Sequence, residues 1–110
     1  MPDDPSPPVT VYVTVPREDA SHLARRLVDE RLAACVNVVD CQSVYRWDGD
    51  VTADDEAILL AKTTDGRYDE MVDRVGEWHP YDVPCIERLP VDGAHEPFSA
   101  WCSEAVERDG

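Results

Sequence analysis

The sequence predicts an α+β fold: a four-stranded antiparallel sheet with two helices on one face, in the order β-α-β-β-α-β, followed by one more helix. Three observations predict it. Val9–Val15 reads VTVYVTV, the period-two alternation of a strand. Two later stretches instead repeat their apolar residues at every third or fourth position, as helices do. Between those stretches lies a β-rich run of unusual length, broken once by Asp48-Gly49, a dipeptide that favours a two-residue hairpin turn.

The elements follow in order. Met1–Pro8 holds four prolines and two aspartates and is expected to be a disordered tail, leaving 9–110 as a single domain. In the first strand Val9, Val11, Val13 and Val15 share one face, and Pro16 ends it. Asp19–Arg31 is the first helix, with Asp19 as its N-cap and Ala20, Leu23, Ala24, Leu27, Val28 and Leu32 as its apolar stripe. From Ala34 to Trp47 the chain is β-rich, and Val51–Thr64 returns as the second arm of a hairpin. In that arm Ala57-Ile58-Leu59-Leu60-Ala61 reads as a central strand covered on both faces. Thr64 or Asp65 caps a second helix with the stripe Tyr68, Met71, Val72 and Val75, which must stop before Pro80. Pro84 and Pro90 bracket a short edge strand, Cys85–Pro90. Pro97 opens a last helix with the stripe Phe98, Trp101, Cys102 and Ala105. This is the split βαβ, or ferredoxin-like, order with an extra C-terminal helix.

The hairpin arms decide the assembly. Strands average about 5–6 residues, and these arms are roughly twice that. A strand that outgrows its sheet carries unpaired N–H and C=O groups along its edge, and a second copy of the same chain is the usual partner for such an edge. The expectation is a homo-oligomer, with function sought at the contacts between subunits.

Charge narrows the function classes. Asp plus Glu number 24 against 10 Lys plus Arg, for a net charge of −14. Such a field repels phosphate backbones and anionic membranes. The acids are interspersed with apolar periodicity rather than grouped in one block, as on solvated outer faces, and Lys62 is the only lysine. An acidic, lysine-poor surface resembles that of proteins from salt-loving microbes, where dense salt screens self-repulsion; a cation-collecting surface is the functional reading of the same acids. Cys35, Cys41, Cys85 and Cys102 form no CxxC pair, and neither a signal peptide nor an apolar run long enough to span a membrane is found. The expected compartment is cytoplasmic, with the thiols reduced.

Five ordered motifs carry a resemblance: ERLAACVN (30–37), SVYRWDGDV (43–51), KTT (62–64), HPYDVP (79–84) and LPV (89–91). Together they closely resemble the CutA family of divalent-cation tolerance proteins, over about Val9 to Val106. The resemblance implies a homotrimer held together by its long hairpins, a role in tolerance to copper and other divalent ions, and no enzymatic activity. It equally implies a likeness to trimeric PII signalling proteins, and so an effector-binding alternative without metal chemistry.

Family members whose metal ligands are described use a histidine at the position of His79, which makes His79 the carried-over ligand, while Val13 and Trp78 stand where those members have a cysteine and a second histidine. Imidazole suits copper and zinc, and thiolates suit Cu(I). Cys85, where the family usually has an acid or glutamine, adds a soft donor near His79. Cys35 is read either as a third ligand or as a small buried hydrophobe, and His79 alternatively as a helix C-terminal cap. Trp47, Tyr45 and Tyr81 suit an interface core or a ligand platform. Lys62 pairs with a carboxylate across a subunit boundary or lines an anion pocket. His22 and His95 are expected at the surface, and Cys102 in the core. Two enzyme and RNA-binding relatives in fold are set aside on residues. Val15-Pro16-Arg17 lacks the glycine of an acylphosphatase anion cradle, and the chain lacks the basic charge of an RNA-recognition module.

Overall fold

A computed structural model of the chain describes residues 7–107. The expected tail therefore lies mostly outside the described residues, as does the end of the expected domain. The elements are β1 (Val9–Pro16), α1 (Arg17–Asp29), β2 (Cys35–Trp47), β3 (Asp50–Thr63), a 3-10 turn (Asp65–Arg67), α2 (Tyr68–Trp78), β4 (Ile86–Leu89) and α3 (Glu96–Ala105). All strand pairs are antiparallel, and the sheet order is β2-β3-β1-β4.

One face of the sheet is closed by α1 and α2. Val9, Val11, Val13 and Val15 of β1 and Ala57, Leu59 and Ala61 of β3 are buried there, against Leu23 and Leu27 of α1 and Met71 and Val75 of α2. Thr63, fully buried, ties the end of β3 to the α1–β2 connection by donating from Oγ1 to the Leu32 carbonyl at 2.6 Å. The opposite face is less covered: Ile58, Leu60 and Lys62 of β3 and Thr10, Tyr12 and Thr14 of β1 are only half-buried. β3 is an interior strand, as expected, but one chain by itself buries just one of its faces.

The boundaries of α1 differ from expectation, for local reasons. The helix starts at Arg17, directly out of β1, with no side-chain cap, and Asp19 instead sits in its first turn beside Glu18, where the helix dipole favours a negative charge. It ends at Asp29 in a Schellman motif: Arg31 takes φ 57°, its N–H bonds the Val28 carbonyl at 3.1 Å, and the Leu32 N–H bonds the Leu27 carbonyl at 3.0 Å. Val28, expected on the stripe, is exposed. α2 stops at Trp78, with His79 extended at ψ 139° before Pro80. β4 is shorter than the expected 85–90 and lies at the sheet edge, paired to half of β1.

The last helix packs separately. Cys102 and Val106 are buried with Ala34, flanked by Phe98 and Ala105. Two arginines from elsewhere satisfy the carbonyls at its C-terminal end: Arg31 donates to Ala105 O at 3.3 Å and Arg67 to Val106 O at 2.9 Å. Its Trp101 is exposed rather than in the stripe's core.

The hairpin outruns everything else. β3 is matched by β1 only as far as Glu56, opposite Pro16, so Gln42–Trp47 and Asp50–Asp55 have only each other. Six such residues reach about 20 Å. The Asp48-Gly49 turn has φ 50° and 84° at its two central residues, the type I′ geometry that matches strand twist.

Candidate functional site

Where β1 leaves β3 and α2 ends, several polar side chains converge on the less covered face. Glu56 is 4% exposed, and its Oε2 accepts a 2.9 Å hydrogen bond from the Tyr81 hydroxyl. Two residues along β3, on the same face by strand alternation, Asp54 accepts from the Tyr45 hydroxyl. Both phenols are held above their ordinary pKa. Burial and the bonded Glu56 raise Tyr81; the hydrogen bond to Asp54 raises Tyr45. Tyr12, on the neighbouring strand, is raised by burial and by nearby Cys85, Cys41, Glu87 and Glu56. The region is anionic and aromatic at once. Arg17 at its border is committed to the Cys41 carbonyl at 2.8 Å and to Asp40 at 3.6 Å.

His79 supports this corner from below. It is 7% exposed, its Nδ1 accepts the Tyr81 N–H at 3.1 Å, and its Nε2 lies 2.8 Å from the Thr14 carbonyl. Because Nδ1 accepts, Nε2 carries the hydrogen and donates. The ring also packs on Tyr81 at a centroid distance of 4.9 Å. The imidazole thus locks the 79–81 turn onto β1, and neither nitrogen is left with a lone pair for a metal ion. Ligation would require breaking one of these bonds.

The remaining residues named from the sequence are spread along the molecule. Cys85 is exposed near Thr14, its thiol raised by burial and then by Glu87, against which the Thr14 side chain works. Cys35 pairs across the strands with Lys62, which also faces Thr10. Lys62 lies six steps along β3 from Glu56, about 20 Å of strand, so Cys35 cannot share one ion with His79 and Cys85 inside a single chain. Burial raises the Cys35 thiol, opposed by Lys62, and raises the Cys102 thiol close to both. Trp47 stands at the other extreme, opposite Asp50 beside the turn. His22 and His95 are exposed.

No group of three or more His, Cys, Asp or Glu among the described residues has a metal-holding arrangement. Together with the occupied nitrogens of His79 and the protonation-favouring surroundings of Cys35 and Cys85, the donor set of one chain does not fit a metal centre. The residues that reading the sequence missed are Glu56, Asp54 and Tyr12. A signal existed for the first: Glu56 sits at i−2 from Ile58 and i−4 from Leu60, which places an acid on the same strand face as two large apolar residues.

Comparison with known proteins agrees with the fold and the motifs. Residues 9–105 match the family model described as CutA1 divalent ion tolerance protein. The divalent-cation tolerance protein CutA of Thermus thermophilus is 44% identical over 96 residues, 86% of this chain and 93% of that one. The chloroplastic protein CutA of Arabidopsis thaliana is 42% identical over 102 residues, 91% of this chain and 56% of its own length. Among solved structures, CutA1 from Oryza sativa has a TM-score of 0.89 at 37% identity, covering 96% of this chain and 100% of that chain. The periplasmic divalent cation tolerance protein CutA from Archaeoglobus fulgidus has a TM-score of 0.88 at 35% identity, covering 91% and 99%. The chain belongs to the CutA1 divalent ion tolerance family.

Proposed function

We propose that this chain serves divalent-cation tolerance as a homotrimer, copper being among the ions it engages, and that it catalyses no reaction. The observation that carries this reading is the ribbon formed by β2 and β3. Val44, Trp47 and Val51 stand 64–67% exposed on strands that have outrun their own sheet. Val44 and Val51 lie on one face of the ribbon and Trp47 on the other, and large apolar side chains exposed on both faces mark an interaction site. Further copies laid against both faces of the ribbon would cover these side chains, and the copy on the Trp47 face would supply the missing cover over Ile58 and Leu60. Tyr45, Trp47, Lys62 and Tyr81, dispersed along one chain, would then border clefts between copies.

Copper would need donors from more than one copy, because those of a single chain do not converge. Cys85 is the donor best placed to contribute: exposed, soft, and near Glu56 and Glu87. A thiol ligates as thiolate, and desolvation and Glu87 push this one above its ordinary range, so affinity rises with pH. Titration of the protein in strong salt with copper and zinc tests this. Binding should weaken roughly tenfold or more in Cys85→Ser, stay unchanged in His79→Ala, and strengthen with alkalinity. The occupied nitrogens of His79 favour one other reading, a trimer similar to PII proteins that binds a small effector in the same cleft. Assembly without any metal binding would select that second reading and overturn the first.

A further inference from the structure

We infer that the cation content of the surroundings sets whether copies of this chain associate, because the ribbon that would join them carries acid and almost no compensating base. This rests on the homotrimer reading above and adds its control. Asp40, Asp48, Asp50, Asp54, Asp55 and Glu56 lie on or beside the hairpin, against Arg46, Lys62 and Arg17, which pairs with Asp40 at 3.6 Å. Asp48, Asp50 and Asp55 are exposed and have no ion-pair partner among the described residues.

Most of the basic side chains that might neutralise a neighbour's acids are already committed within the chain, Arg25 on α1 and Lys62 at the far end of β3 being the exceptions among the described residues. Arg26 and Arg74 bind Glu30 at 3.2 and 2.8 Å, Arg67 binds Glu70 at 3.5 Å and Arg88 binds Asp65 at 2.8 Å. Arg17 holds the Cys41 carbonyl, Arg46 the Gly49 carbonyl at 3.1 Å, and Arg31 the Ala105 carbonyl. Bringing ribbons together therefore brings like charges together, and mobile cations are what remains to offset them. The range of that repulsion is about 30 Å at 0.01 M salt, the reach of the whole ribbon, and about 3 Å at 1 M. Apolar contact through Val44, Trp47 and Val51 acts only at short range, so it prevails once the field has been screened. Association thus appears with rising salt. Because a doubly charged ion contributes more to ionic strength per mole, a divalent chloride brings it about at lower molarity than KCl.

Sedimentation of the full chain across about 0.01 M to about 1 M KCl, and in magnesium chloride, reads this directly. Wild type should pass from single chains to trimers, with the magnesium midpoint at the lower molarity. Asp48→Asn/Asp50→Asn/Asp55→Asn should move the KCl midpoint down roughly tenfold. Asp29→Asn/Asp69→Asn/Asp73→Asn, which removes the same charge from helix residues away from the ribbon, should move it much less. Trimers at every salt concentration, equal shifts in the two triple variants, or equal molar midpoints for the two salts would overturn the inference and leave the homotrimer standing. Single chains at every concentration would overturn the homotrimer reading itself.

Discussion

The contact between Tyr81 and Glu56 shows what a single residue does here. A carboxylate with 4% exposure needs a donor, and the Tyr81 hydroxyl is the one it has. Removing that hydroxyl in Tyr81→Phe should cost about 1 kcal/mol, the low end for an unsatisfied buried group, since Tyr81 itself keeps contact with water. The pH dependence has a definite sign. The phenol's pKa is raised in the fold, so its contribution is complete below the ordinary tyrosine value of about 10 and is lost as pH climbs beyond it. Denaturant melts from neutral to alkaline pH should show a steep alkaline loss in wild type that Tyr81→Phe blunts; identical alkaline limbs would contradict the assignment. His79 teaches the complementary lesson. Its position in the HPYDVP motif made it a ligand by resemblance, yet its partner is the Thr14 carbonyl, 65 residues away. No local pattern announces a bond of that range. Only the fold reveals that the ring is already fully employed.

At the scale of elements, the sequence was most informative where backbone chemistry is local. The alternating valines of β1, the helix stop ahead of Pro80, Pro97 in the first turn of α3 and the Asp48-Gly49 turn all fall where expected. What it missed came from contacts distant in sequence or from exceptions to residue preference. The α1 ending uses arginine rather than glycine at a left-handed position, because Arg31 there reaches α3. The turn is testable by itself. Gly49 has φ 84° and open space around it, so Gly49→Ala meets only backbone strain, about 1–2 kcal/mol, read as a lower denaturation midpoint. Trp47 makes the opposite prediction. At 67% exposure it does little for its own chain, so Trp47→Ser should leave the circular dichroism and melting of the isolated chain nearly unchanged. It should weaken association between copies by tenfold to roughly a hundredfold, the worth of burying a large apolar side chain.

For the molecule as a whole, the layout explains why its chemistry was harder to read than its fold. The residues chosen from motifs are distributed over a body 51 Å long, from Trp47 beside the turn, through Tyr81 and Cys85 at its waist, to Lys62 and Cys35 at the end beneath α3. Spacing along the chain reports which strand face a residue occupies, and those faces were legible. It does not report which residues meet across a boundary between copies, where any shared site would have to form. A ribbon extending about 20 Å past its own sheet, apolar on exposed positions and acidic around them, is the feature on which the proposed homotrimer rests. Sedimentation equilibrium in about 1 M salt, where charge repulsion is confined to about 3 Å, tests this most directly. The account predicts three times the chain mass of 12.3 kDa; a species of 12.3 kDa under those conditions would contradict it.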